Sequence, residues 1–158
     1  MGAEIDSDTK QLAKDYLCSL ERGHVRTKFV TTWDEARRTA RDMDWDRALL
    51  SSQITERRNL QRLANTKYKQ ADCRAHLEES MEAISAAADM ALKTAQSTHL
   101  NDISIAKAAV GAFSESAFEV SLATLAEREL QHPARLRFAL FQAGRWPLTV
   151  TKELFFLF

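Results

Sequence analysis

Glycine and proline are nearly missing from this 158-residue sequence, which holds four of the first and two of the second. Gly23 and Gly111 bound 87 residues that contain neither. Such a stretch can hardly be rich in strands, because tight hairpins depend on turn residues. Cysteine is just as scarce. Cys18 and Cys73 lack the spacing of a disulfide framework, and two reduced thiols suit a cytoplasmic protein. No apolar run approaches the roughly 20 residues that span a bilayer. Asp6, Asp8, Lys10, Lys14 and Asp15 also leave no room for a secretory signal in the first segment. These absences lead to the expectation of a soluble cytoplasmic protein that does not enter a membrane.

What is present is ordinary for a globular chain: 45% hydrophobic and 28% charged residues. The length fits one domain, since domains most often hold about 100–150 residues. The net charge is zero, yet the charges are segregated. Residues 57–74 carry six bases and one acid, whereas residues 75–130 carry three bases and nine acids. A neutral total argues against a dedicated nucleic-acid binder, while an acidic tract permits docking to a basic partner.

Periodicity predicts helices over most of the chain. Ser7 can cap a first helix that stops at Gly23, with Leu12, Tyr16, Leu17 and Leu20 on one face. Thr32 and Glu35 fit a capping box. Around Asp44 the helix either runs on or breaks near Met43 and restarts, and Asn65-Thr66 marks a bend further along. Leu77, Met81, Ile84, Ala88, Ala91 and Ala95 form a core-facing stripe, and Ser97-Thr98-His99 reads as a loop before an Asn101 or Asp102 cap. The helix at 102–130 is apolar on much of its circumference, with Gly111 allowing a tight crossing. Pro133 opens a last helix that Gly144 ends. Two β-prone runs, Trp146–Val150 and Leu154–Phe158, flank Thr151-Lys152-Glu153 and read as a hairpin. The expected fold is mainly α: one helical domain over 1–158, a bundle of five or six helices with a short C-terminal β-hairpin at about 146–158.

Candidate sites point to recognition rather than to chemistry. Cys73 and His76 could face one metal ion, with Cys18 and His24 as a second pair, but zinc needs four converging ligands, so no metal or other cofactor is expected. Asp42, Asp44 and Asp46 alternate as calcium loops begin, yet Arg47 and Gln53 stand where that motif needs glycine and glutamate. The same acids flank Trp45, and a tryptophan ringed by charge is an anchor that interfaces favour. Glu78, Glu79 and Glu82 share an outward face. Asp42, Asp44, Trp45, Asp46, Glu78, Glu79 and Glu82 are therefore the candidate partner-binding residues, and no residue is assigned a catalytic role. A homo-oligomer stays open. The basic tract Arg57, Arg58, Arg62, Lys67, Lys69 and Arg74 offers an alternative, a helical regulator contacting nucleic acid, although Tyr68 is its only aromatic. An enzyme would need a deep pocket gathering His76 or His132 with carboxylates.

The segment Arg137-Phe138-Ala139-Leu140-Phe141-Gln142-Ala143-Gly144-Arg145-Trp146-Pro147-Leu148, with the aromatic run that follows, resembles bacterial immunity proteins. These are small inhibitors encoded beside polymorphic or contact-dependent toxins. The resemblance implies a cytoplasmic, non-catalytic protein that binds and neutralises one cognate toxin domain, for which the acidic residues imply a basic surface. It assigns no role to any single residue.

Overall fold

The computed structural model describes residues 6–42, 44–69, 71–79, 81, 82, 84 and 103–158. Its elements run α1 (Ser7–Ser19), β1 (Arg26–Phe29), α2 (Trp33–Asp42), α3 (Arg47–Lys67), α4 (71–79), α5 (Ile103–Leu125), α6 (Pro133–Gln142), β2 (Pro147–Val150) and β3 (Leu154–Leu157). The fold is mainly α with a small sheet, and the expected hairpin is there as β2 and β3. The expected stripe at Ala88, Ala91 and Ala95 and the loop at 97–99 lie outside the described residues. Contacts gather into two compact units, Met1–Thr55 with Glu129–Phe158, and Glu56–Arg128.

The first unit is built on the hairpin's apolar content. Phe155, Phe156 and Leu157 are all buried, so β3 must be covered on both faces. It lies at the centre of a three-stranded sheet of order β1-β3-β2, parallel to β1 and antiparallel to β2. Alternation sends Phe155 and Leu157 to one face and Phe156 and Phe158 to the other. On the first face they join Ala13, Tyr16 and Leu17 of α1, Leu49 of α3, and Leu136 and Leu140 of α6 in one core. The Tyr16 and Phe155 rings meet at 5.6 Å. On the second face Trp33 of α2 meets Phe158 at 4.6 Å, with Ala36 and Thr39 of the same helix buried. Each fully buried phenylalanine contributes roughly 2–3 kcal/mol.

Strand β1 is a finding that the sequence reading lacked. Arg-Thr-Lys-Phe is four residues of mixed character, and its pairing partner lies more than a hundred residues away. Short, charged edge strands carry little local signal. Other boundaries shift for simple reasons. Asp6, not Ser7, caps α1: its Oδ1 accepts from Thr9 N–H at 2.7 Å, and a carboxylate suits the positive end of a helix. Thr32 caps α2 as expected, its Oγ1 accepting from Glu35 N–H at 3.2 Å, while the Glu35 carboxylate meets Lys28 at 3.2 Å. Asn65 and Thr66 do not bend the chain. The Thr66 hydroxyl donates to the Arg62 carbonyl at 2.7 Å inside α3, which ends at Lys67.

Three helices close by one device, in which two backbone amides beyond the end fold back onto the last carbonyls. After α1, Arg22 N–H reaches Leu17 O at 2.8 Å and Glu21 N–H reaches Cys18 O at 3.0 Å. Arg128 with Glu127 repeats it after α5, and Arg145 with Gly144 after α6. The device needs a residue in the left-handed region. Gly144 supplies it with φ 73°, but Glu21 at 58° and Glu127 at 52° do so against steric resistance. Gly23, expected as the stop of α1, lies beyond this turn.

In the second unit Leu60, Ala64, Cys73, Leu122 and Ala123 are among the buried residues. Arg57 of α3 pairs with Glu115 of α5 at 2.7 Å and lies 5.3 Å from the Phe118 ring centre. Lys67 pairs with Glu127. Such surface pairs contribute about 0–1 kcal/mol each, so apolar burial carries the unit. Gly111 is exposed, and a Cβ built on it meets no atom within 4 Å among the described residues, so the expected tight crossing is not found there.

Two stability changes follow, both readable by urea unfolding. Glu21→Gly relieves the left-handed strain and is expected to stabilise by about 1 kcal/mol. Gly111→Ala is expected to stabilise by up to about 1 kcal/mol through helix propensity alone. A loss of stability in either variant contradicts the corresponding geometry.

Candidate functional site

The link between α2 and α3 is short and strongly held. Asp46 carries most of the load. Its Oδ1 accepts from Leu49 N–H at 3.0 Å, which caps α3. Its Oδ2 accepts from Arg22 Nε at 3.0 Å, and its own N–H donates to the Val150 carbonyl of β2 at 3.0 Å. The residue is 8% exposed. The bond from Leu49 N–H, followed by the Arg22 guanidinium, holds its carboxyl below the usual aspartate value of 3.8. This capping resolves the open question at Asp44: the helix breaks after Asp42 and restarts at Arg47.

Asp46 is thus turned inward, and the outward groups around it are different ones. Asp44 is exposed, and Trp45 keeps 37% of its surface exposed. Trp45 stands just before the cap and Leu50 four places after it, the two positions that a hydrophobic staple joins. Leu50 and Ile54, one turn apart on α3, are 36% and 54% exposed.

The remaining candidates belong to other places. Asp42 is the last residue of α2. Glu78 and Glu79 are exposed on α4, and Glu82 is helical and exposed, all in the second unit. Glu78 accepts from Arg74 Nε at 2.9 Å. Of the basic tract, Arg57, Lys67 and Arg74 are paired with glutamates of their own unit. Arg58, Arg62 and Lys69 are exposed.

A cleft of about 340 Å³ does bring His132 beside carboxylates. It is lined by Asp15, Cys18 and Ser19 of α1 and by Glu129, Gln131, His132 and Pro133. Local structure occupies three of its polar side chains. His132 Nδ1 accepts from Ala134 N–H at 3.2 Å and caps α6. The Ser19 hydroxyl donates to Tyr16 O at 2.6 Å, and Asp15 accepts from Gln11 at 2.8 Å. The Cys18 sulfur lies 3.1 Å from where a Cβ on Gly23 would sit. Cys73 is buried while His76 is exposed, and no group of three metal-ligating side chains gathers among the described residues. No described helix is long and apolar enough to cross a membrane.

Asp46 gives the region a testable pH signature. A group with a lowered folded pKa stabilises above its unfolded value and loses that contribution as pH falls through the folded one. Asp46→Ala is expected to cost about 2 kcal/mol, and Asp46→Asn less, because an amide oxygen still caps. In urea unfolding, the gap between wild type and Asp46→Asn is expected at neutral pH and to shrink as pH drops below 3.8. A gap independent of pH contradicts the ionised cap. No family model matches the chain, and neither a curated protein nor a solved structure matches it.

Proposed function

We propose that this chain is a non-catalytic inhibitor, a cytoplasmic immunity protein that binds and neutralises one cognate bacterial toxin domain. One observation carries the reading. Trp45 keeps more than a third of its surface exposed at a corner that Asp46 locks from beneath through α3, β2 and Arg22. An exposed aromatic on a rigid mount loses little entropy on binding, which is what an interface anchor requires. Asp44 beside it adds negative charge that speeds the approach of a basic partner and excludes wrong ones. Leu50 and Ile54 extend the apolar surface along α3. The resemblance of the 137–148 segment to immunity proteins supports the same reading. Glu78, Glu79 and Glu82 remain candidates for a second contact.

The alternative, nucleic-acid contact through residues 57–74, is weakened because three of the six bases are already neutralised by glutamates. Counterion release scales with the charges that meet phosphate, so a shallow salt dependence is expected.

The test is a binding titration against the toxin domain encoded by the neighbouring gene, with survival of toxin-expressing cells as a second readout. Trp45→Ala is expected to weaken binding by about 2 kcal/mol, roughly 30-fold, in a protein that still folds and unfolds cooperatively, with some loss of stability from the covered part of the ring. Asp44→Lys is expected to slow association chiefly at low salt. No complex and no protection would overturn the reading.

A further inference from the structure

Among the described residues the sheet has an unpaired edge. In the parallel β1–β3 ladder, Arg26 N–H donates to Glu153 O at 3.1 Å and Val30 N–H to Leu157 O at 2.8 Å. Arg26 is in register with Leu154 and Lys28 with Phe156, so the backbone groups of Arg26, Lys28 and Val30 turn towards β3. Those of Thr27 and Phe29 turn the other way. On that outer side no described residue pairs with them, and β1 neighbours only β3 in the sheet. A row of unpaired N–H and C=O groups is a template for another strand unless it is guarded. Lysine is a usual guard, but Lys28, although exposed, leans over the sheet face rather than along the edge, 3.2 Å from Glu35 and 5.5 Å from the Phe156 ring centre.

We propose that β1 is a docking edge that captures an extended segment of a protein partner by strand addition, with an acid opposite Arg26 and an apolar residue opposite Phe29. The side chains dictate that chemistry. Arg26 is exposed, so an acidic residue on the added strand meets an opposite charge. Thr27 and Phe29 are half-buried on the core face, where Phe29 packs at the margin of the core. An apolar side chain there extends that core. A second copy of this chain fits worse, because two β1 strands would bring like charges together. The inference does not depend on the toxin reading; it holds for any partner that presents such a segment.

The test uses a capped octapeptide alternating glutamate and valine as the probe, with its lysine–valine counterpart, and reads amide hydrogen exchange at Thr27 and Phe29. The acidic peptide is expected to slow exchange at both amides by about tenfold or more at saturation. The basic peptide is expected to bind about fivefold more weakly, and Arg26→Glu to reverse that preference. Thr27→Pro removes an outward N–H without touching the β1–β3 ladder, and its protection by the peptide is expected to vanish. Should Thr27→Pro unfold, the Arg26→Glu reversal alone decides. Unchanged exchange with both peptides, or equal binding of the two, overturns the proposal. So does protection that grows with protein concentration alone, which would place a second copy on the edge. Because no toxin is used, failure here leaves the toxin test unaffected.

Discussion

A single carboxylate ties the sheet-containing unit together. Asp46 stands where three chain segments meet: the end of α1 through Arg22, the start of α3 through Leu49, and β2 through the Val150 carbonyl. Each bond is ordinary, but they share one buried residue, so none can relax without loading the others. Charge-assisted bonds of this kind are about twice as strong as neutral ones, and the low exposure keeps water from competing. This junction sets where α3 starts and holds that start against β2 and Arg22.

The hairpin shows the same economy. An apolar β3 would be an aggregation hazard if left open, and the protein covers it on both faces with helices and on both edges with strands. Covering β3 moves the open edge outward to β1, a strand whose side chains are mixed rather than apolar. The hazard is thereby exchanged for a polar edge with a defined register, which is the basis for a recognition role there.

The functional reading turns on how polar groups are occupied. Asp46 and His132 would attract attention as a metal ligand and a catalytic base on sequence alone. In the fold, both serve as helix caps: Asp46 Oδ1 and His132 Nδ1 accept from backbone amides, and Asp46 Oδ2 accepts from Arg22. The side chains exposed around the α2–α3 corner include an aromatic, an acid, a base and two aliphatics. Those are groups that bind surfaces.

Much of this was legible from residue order. The scarcity of glycine and proline and the spacing of Leu12, Tyr16, Leu17 and Leu20 determined a helical chain. The aromatic run at 154–158 determined a buried strand, and Gly144 the end of α6. These are local signals, set by propensity and period. Tertiary structure alone decided the rest. Strand β1 exists because β3 needs a second neighbour, not because Arg-Thr-Lys-Phe prefers extension. The break before α3 depends on Val150, over a hundred residues away, and the inward turn of Asp46 depends on Arg22. Residue patterns report periodicity within an element; which carboxylate is buried and which tryptophan is left exposed is set by contacts between elements distant in the chain.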